Sequence, residues 1–143
     1  MRKMKILVTG GLGFIGSNFV RHMADKDKAE MEIIVVDALR YGSNENNLKD
    51  LEYEYKFVRG NICDYELMCE LVKNVDAIVN FAAETHVDRS ISNPYAFVES
   101  NVKGTYTVLE AIRRVNQEAK LVHVSTDEVY GDIEKGSFKE DDM

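Results

Sequence analysis

Three glycines at three-residue spacing, Gly10, Gly13 and Gly16, stand between an apolar run, Lys5-Ile6-Leu7-Val8, and a segment with helical periodicity. An apolar run of that kind forms a buried parallel strand. In that context Gly10 allows a tight turn, Gly13 lets a pyrophosphate approach the backbone, and Gly16 lets helix pack on strand, with the phosphates at the positive helix N-terminus. The spacing is GxxGxxG rather than GxGxxG, so a second mark is needed: an acidic residue about 20 positions on, at the end of the next strand. Asp37 stands there, closing Glu32-Ile33-Ile34-Val35-Val36-Asp37. Its carboxylate can accept hydrogen bonds from a ribose diol and repels a 2′-phosphate, which favours NAD over NADP. Arg40 argues the other way, since an arginine here accommodates that phosphate.

At 143 residues and 45% hydrophobic content, the chain suits one domain over residues 1–143 with a core of its own. A formal net charge of −7 with no basic stretch argues against nucleic acid or an anionic membrane as partner. Polyphosphate ligands must then be met by backbone N–H groups and a few placed arginines. Cys63 and Cys69 have neither metal-ligand spacing nor a CxxC pattern and are read as buried, reduced thiols, with no metal site. No apolar stretch is long enough to span a membrane and no signal-peptide core precedes the first strand, so the expected location is cytoplasmic.

Along the chain, Phe14, Ile15, Phe19, Val20 and Met23 place an apolar stripe on a helix that ends in Asp25-Lys26-Asp27-Lys28, with His22 at its surface. A polar loop from Gly42 to Asn47 precedes a short helix around Leu48 to Leu51. Lys56-Phe57-Val58-Arg59 reads as a third strand, and Asp64 as the N-cap of a helix whose apolar side is Leu67, Met68, Leu71 and Val72. Ala77 to Phe81 is a fourth strand, leading into the polar run Ala82 to Ser90. Beyond Pro94, the apolar positions Val98, Val102, Leu109, Ile112 and Val115 predict a long helix from Tyr95. Leu121 to Val124 is a fifth strand that delivers Ser125-Thr126-Asp127-Glu128, and the chain beyond Asp132 is charged and aperiodic. Strands alternating with helices imply right-handed βαβ units and a doubly wound parallel α/β sheet in the order 3-2-1-4-5. Ligands bind such a sheet at the carboxyl ends of its strands, beside the switch point between strands one and four. The glycine turn, Asp37, Asn61-Ile62, the Ala82 to Ser90 run and Thr126-Asp127-Glu128 all fall at those ends.

Four separated motifs in order, GGLGFIGS, NFAAETHVDRSI, SNVKGTYTVLEA and VSTDEVYGD, resemble the N-terminal portion of the extended short-chain dehydrogenase/reductase family, which is Rossmann-like. Within it, Thr126-Asp127-Glu128 before Val-Tyr-Gly resembles the dTDP-glucose 4,6-dehydratase branch. The resemblance implies catalytic NAD and a nucleotide-sugar substrate. Oxidation at the sugar C4 makes the C5 proton acidic, and elimination then needs a base at C5 and an acid at the departing C6 hydroxyl. By resemblance Glu128 is that base and Asp127 that acid, groups that start in opposite protonation states. Thr126 then bonds the sugar near C4, while Thr85, Glu84 and Arg89 face the substrate or its phosphates. For the cofactor the resemblance implies Phe14 and Ile15 beside the glycines, and Asp37, Ala38, Leu39 and Arg40 around the adenosine ribose. Asn61 and Ile62 flank adenine, where the family usually has aspartate at the first position. Phe81, Ala82, Ala83 and Thr85 lie toward the nicotinamide, and Ser100 keeps the hydroxyl of a common threonine. His86 and Asp88 are read as structural.

One departure from the family is large. Its sugar is oxidised with a Tyr-x-x-x-Lys pair, four residues apart so that both lie on one helix face. None of the seven tyrosines here is followed four positions later by lysine. The chain therefore reads as a truncated enzyme, stopping before the later strands and the sugar-nucleotide domain, inactive by itself, and with a homodimer expected of the full-length form. Another nucleotide-sugar epimerase or dehydratase, or a non-catalytic NAD-binding module, are the alternative readings.

Overall fold

The computed structural model of the chain describes residues 2–26 and 30–142. Asp27 and Lys28 of the charged run lie outside the described residues. Five parallel strands, β1 (Met4–Thr9), β2 (Met31–Asp37), β3 (Lys56–Arg59), β4 (Ala77–Asn80) and β5 (Lys120–His123), form one sheet in the order β3-β2-β1-β4-β5. This is the order expected from the sequence. Leu7 and Val8 pair with Ile34 and Val35 on one side and with Ile78 and Val79 on the other, so β1 is covered on both edges and both faces. A wholly buried strand has no polar face to show, and β1 and β2 are accordingly almost continuous apolar runs.

Alternation along the strands divides the core in two. Leu7, Ile34, Val36 and Ile78 point to one face, where α2 (Tyr65–Val72) and α5 (Thr105–Val115) cover them through Met68, Leu71, Val72, Val108 and Ala111. Ile6, Val8, Ile33, Val35 and Val79 point to the other, against Leu12, Val20 of α1 (Phe14–Lys26) and Leu48. Each fully buried aliphatic side chain contributes about 1.5–3 kcal/mol. Asp64 caps α2 as expected, its Oδ1 accepting from Leu67 N at 3.1 Å. Asn116, just past α5, donates to the carbonyls of Val72 and Val75 and so ties the end of α5 to that of α2.

Several expectations are corrected. Phe14 and Ile15 do not join the buried stripe of α1; they are 81% and 61% exposed, and Gly16, Ser17, Val20 and Ala24 face the sheet instead. The short helix expected at Leu48 to Leu51 is a 3₁₀ turn over Glu45–Leu48, begun by the Asn44 side chain accepting from Asn46 N. Within the polar run, Val87–Ser92 forms a short helix, α3, that the sequence pattern gave no sign of. The long helix after Pro94 exists, but as α4 (Pro94–Phe97), a π-helical segment (Val98–Gly104) and α5 in continuous succession. Most of its expected apolar stripe faces outward: Val98, Val102, Leu109 and Val115 are exposed and Ile112 alone of the stripe packs against the core, while Ser100, Gly104, Thr107, Val108 and Ala111 are buried. Small side chains win the inner face because they let the helix backbone approach the sheet. A Cβ on Gly104 would meet Ile62 at 2.5 Å. Cys63 and Cys69 are free, and half-buried rather than buried. Among the described residues no helix is long and apolar enough to cross a membrane and no cluster of ligating side chains could hold a metal.

On the outer side of α5, Glu110 accepts hydrogen bonds from Arg113 and from Arg114, at 2.7 and 2.9 Å. These guanidinium groups hold its carboxyl down to about 2. A depressed carboxylate contributes stability above its ordinary value of 4.5 and loses it as pH falls through the folded value. The urea midpoints of the native chain and Glu110→Gln should therefore differ by a constant amount above pH 4.5 and converge toward pH 2. Parallel curves across that window would show that the ion pairs contribute nothing.

Candidate functional site

The glycine turn is shaped by what cannot fit around it. Gly10 ends β1 with φ of +65°, and a Cβ there would lie 2.7–2.9 Å from the backbone of Phe81 and Ala82 at the end of β4. A Cβ on Gly16 would overlap the Gly10 carbonyl oxygen, so glycine lets α1 seat directly on the turn. Gly13 N donates to that same oxygen at 3.1 Å, and Ser17 N to Gly13 O at 3.0 Å. The first N–H groups of α1 have no intrahelical acceptor and carry the positive end of its dipole.

Asp37 is 5% exposed at the end of β2. Its Oδ2 accepts from Leu12 N at 3.0 Å and its Oδ1 from Leu39 N at 2.8 Å. The side chain thus fastens the glycine turn to β2, a task beyond the ribose contact expected from sequence, and each oxygen keeps a lone pair free. Leu39 takes a left-handed conformation, φ 53°, and packs against the core beneath the turn instead of facing the groove. Arg40 turns the other way. Its Nη2 lies 2.9 Å from Glu99 Oε2, and its Nη1 donates to Ser100 Oγ at 3.3 Å. This pairing raises the arginine above its ordinary value and holds the Glu99 carboxyl below the usual carboxylate range.

Across the strand ends runs a polar chain from buried Thr9 and Asn80 to exposed His123. Thr9 Oγ1 bonds Asn80 Oδ1, Asn80 Nδ2 reaches His123 Nδ1 at 2.9 Å, and Ala82 N donates to Thr9 Oγ1 at 3.4 Å. With Asn80 oriented this way, Nδ1 of His123 is the acceptor. The loop after β4 is clamped from the π segment: Asn101 Oδ1 accepts from Glu84 N and Asn101 Nδ2 donates to Glu84 O, both at 2.8 Å. Glu84 is buried, with Arg89 Nη1 at 4.0 Å from its carboxylate. The Arg89 guanidinium lies over the Tyr41 ring, 4.3 Å from the centroid, and His86 meets that ring edge-on.

These elements leave a groove along the carboxyl edge of the sheet. One stretch is lined by Gly10, Gly13, Asp37, Ala38, Arg40, Asn61, Ile62, Phe81, Ala82, Ala83, Glu84 and Ser100. The next shares Gly10, Gly13, Phe81, Ala83 and Glu84 and adds Phe14, Ile15, Gly16, Thr85 and Thr126. The residues expected around a cofactor therefore converge, Leu39 excepted. Asp127 and Glu128 do not join them: they sit exposed on a 3₁₀ turn, Asp127–Tyr130, beside a separate concavity with Asp132, Ile133 and Phe138. Sequence reasoning missed Ser43 and Gly60 in the first stretch, Tyr41 and His86 in the second, and Asn101 behind both. Asn101 is exposed in the π segment, and no sequence signal marked it.

Residues 7–143 match the family described as GDP-mannose 4,6 dehydratase. The chain is 50% identical over 131 residues to a dTDP-glucose 4,6-dehydratase of Mycobacterium tuberculosis (strain CDC 1551 / Oshkosh), covering 92% of this chain and 39% of that protein. It is 48% identical to the low-salt glycan biosynthesis protein Agl12 of Haloferax volcanii, covering 97% of this chain and 44% of the relative. Among solved structures it superposes on DesIV, a dTDP-glucose 4,6-dehydratase from Streptomyces venezuelae with NAD and TYD bound, at a TM-score of 0.88 and 46% identity, over 98% of this chain and 45% of that one. The chain spans about two fifths of the length of the curated relatives it matches. Matched over all but its first six residues, the chain belongs to the GDP-mannose 4,6 dehydratase family.

Proposed function

We propose that the chain supplies the NAD-binding part of a nucleotide-sugar 4,6-dehydratase that converts dTDP-glucose to dTDP-4-keto-6-deoxyglucose. The observation that carries this reading is the continuous groove from Asp37 across the glycine turn to Thr126. Its shape fits a dinucleotide, because the places where a Cβ would block the turn are glycine and a buried carboxylate stands at the adenosine end. Asp37 would hold the ribose, Asn61 and Ile62 the adenine edge, the turn and the first N–H groups of α1 the pyrophosphate, and Phe81, Ala82 and Ala83 the far ring. Held by these residues, NAD would supply hydride chemistry with no net redox change, an oxidation at the sugar C4 offset by a reduction at C6. Glu128 takes the C5 proton and Asp127 protonates the departing C6 hydroxyl, while Thr126, on the groove itself, orients the sugar. Thr85 and Glu84 border the same space, and Arg89, held against Tyr41, acts from its rim. A cytoplasmic location and a homodimer of the complete protein belong to the same reading.

A second reading, a dinucleotide-binding module without chemistry of its own, draws support from the place of Asp127 and Glu128 outside the groove. The two are separated by calorimetric titration of the chain with NAD, followed by incubation with dTDP-glucose. NAD binding is expected, with no 4-keto product above a heat-killed control, since the sequence holds no Tyr-x-x-x-Lys pair to oxidise C4. Product from this chain alone would overturn the assignment of that oxidation to residues outside it, and failure to bind NAD would overturn the dinucleotide site.

A further inference from the structure

An arginine beside a ribose-binding carboxylate is a ready partner for a 2′-phosphate, and Arg40 holds that place in the sequence. The structure gives it another partner. Glu99, in the first turn of the π segment, lies at 2.9 Å from Nη2, and Ser100 Oγ accepts from Nη1 at 3.3 Å. Glu99 is itself fixed at the backbone, where its carbonyl accepts from Cys63 Sγ at 3.2 Å. Arg40 is the one cation among the described residues that line the adenosine stretch of the groove, where Asp37 and Glu84 are anionic.

We infer that Glu99 is a specificity-determining residue: by holding the Arg40 guanidinium against the π segment, it withholds that cation from the ribose 2′ position and excludes NADP. This rests on the dinucleotide reading above. Exclusion then has two sources. Asp37 repels a 2′-phosphate directly, and Glu99 removes the charge that could compensate. The ion pair is part-buried, with side-chain exposures of 38% for Arg40 and 24% for Glu99, so a phosphate must outcompete a partly desolvated carboxylate to capture the arginine. A purely structural role for Glu99, as a brace between the loop after β2 and the π segment, would affect both dinucleotides alike.

The test is calorimetric titration of the 143-residue chain with NAD and with NADP, for the native protein, Glu99→Gln, Glu99→Ala, Arg40→Ala and the double variant Glu99→Ala/Arg40→Ala. In Glu99→Ala the NADP dissociation constant is expected to fall by about tenfold relative to that of NAD. Glu99→Gln, which keeps a neutral hydrogen bond to Arg40, should move it less and in the same direction. The gain should vanish in the double variant, since it acts through Arg40. A gain that persists there reflects only the lost negative charge and overturns the inference. An unchanged NADP-to-NAD ratio in both Glu99 variants, with NAD still bound, also overturns it while leaving the dinucleotide reading intact. A native chain that binds neither dinucleotide overturns both. Should Glu99→Ala fail to fold by circular dichroism, the isosteric Glu99→Gln decides.

Discussion

Gly10→Ala is expected to destabilise the chain by about 3 kcal/mol, a large share of the 5–15 kcal/mol typical of a domain. Two costs add. A left-handed conformation costs a residue with a Cβ about 1–2 kcal/mol. The methyl group would also press on the Phe81 and Ala82 backbone at 2.7–2.9 Å, where no flexible side chain can give way. Gly42→Ala separates the two: its φ is +87° but nothing lies within 4 Å of the added carbon, so only the conformational cost of about 1–2 kcal/mol applies. Gly16→Ala should act on function as well, because relieving its overlap with the Gly10 carbonyl means moving α1 off the turn. NAD affinity should then fall by about a hundredfold, a loss of about 2.7 kcal/mol. Urea midpoints and calorimetric titration read the two effects. Equal midpoints for Gly10→Ala and Gly42→Ala would refute the crowding argument.

Glu128→Gln and Asp127→Asn should each lower kcat for 4-keto product by about 10²–10⁴, the range of a single general acid or base. The measurement requires the chain within a protein that also holds the Tyr-x-x-x-Lys pair. NAD affinity should stay unchanged in both variants, since neither residue lines the groove of the glycine turn. Asp132→Asn, on the same concavity, serves as the control for a general loss of negative charge. Turnover within threefold of the native enzyme in both variants would favour the binding-module reading. If the proposed dehydration holds, the exposed place of the pair on an open 3₁₀ turn gives a physical reason why it needs more than this sheet edge: a proton must be taken and given where water does not compete.

The sheet order and the glycine turn were legible because they are written in local terms. An apolar run, three glycines and an acid at the next strand's end each lie within a few residues of what they determine, as does the Asp64 cap on Leu67. The outward turn of Val98, Val102 and Leu109 was not legible, because periodicity counts apolar size, whereas the sheet selected Ser100, Gly104, Thr107 and Ala111 for closeness of approach. Phe14 and Ile15 misled for the same reason, since large apolar residues at the head of a helix mark a groove as readily as a core. The Arg40–Glu99 pair and the Asn101 clamp join positions far apart in the chain and leave no local pattern. They exist only once the loops after β2 and after β4 meet the helix after Pro94 at one edge.

The π winding between Val98 and Gly104 also sets a limit on chain length. Each residue of an α-helix advances about 100° around its axis, and a π turn accommodates an extra residue within the winding. Deleting one residue from this stretch would restore ordinary winding and leave α4 and α5 near their present angle to one another, whereas deleting one from the first turn of α5, where no extra residue is stored, would rotate the rest of α5 by about 100°. After such a deletion either Ser100 would keep its place on the groove or Ala111 its place against the sheet, but not both. Point substitutions along this helix can be absorbed one at a time and a deletion within the π turn can be taken up there, whereas a deletion in α5 acts like slipping one tooth on a gear, separating the wall of the groove from the core that carries it.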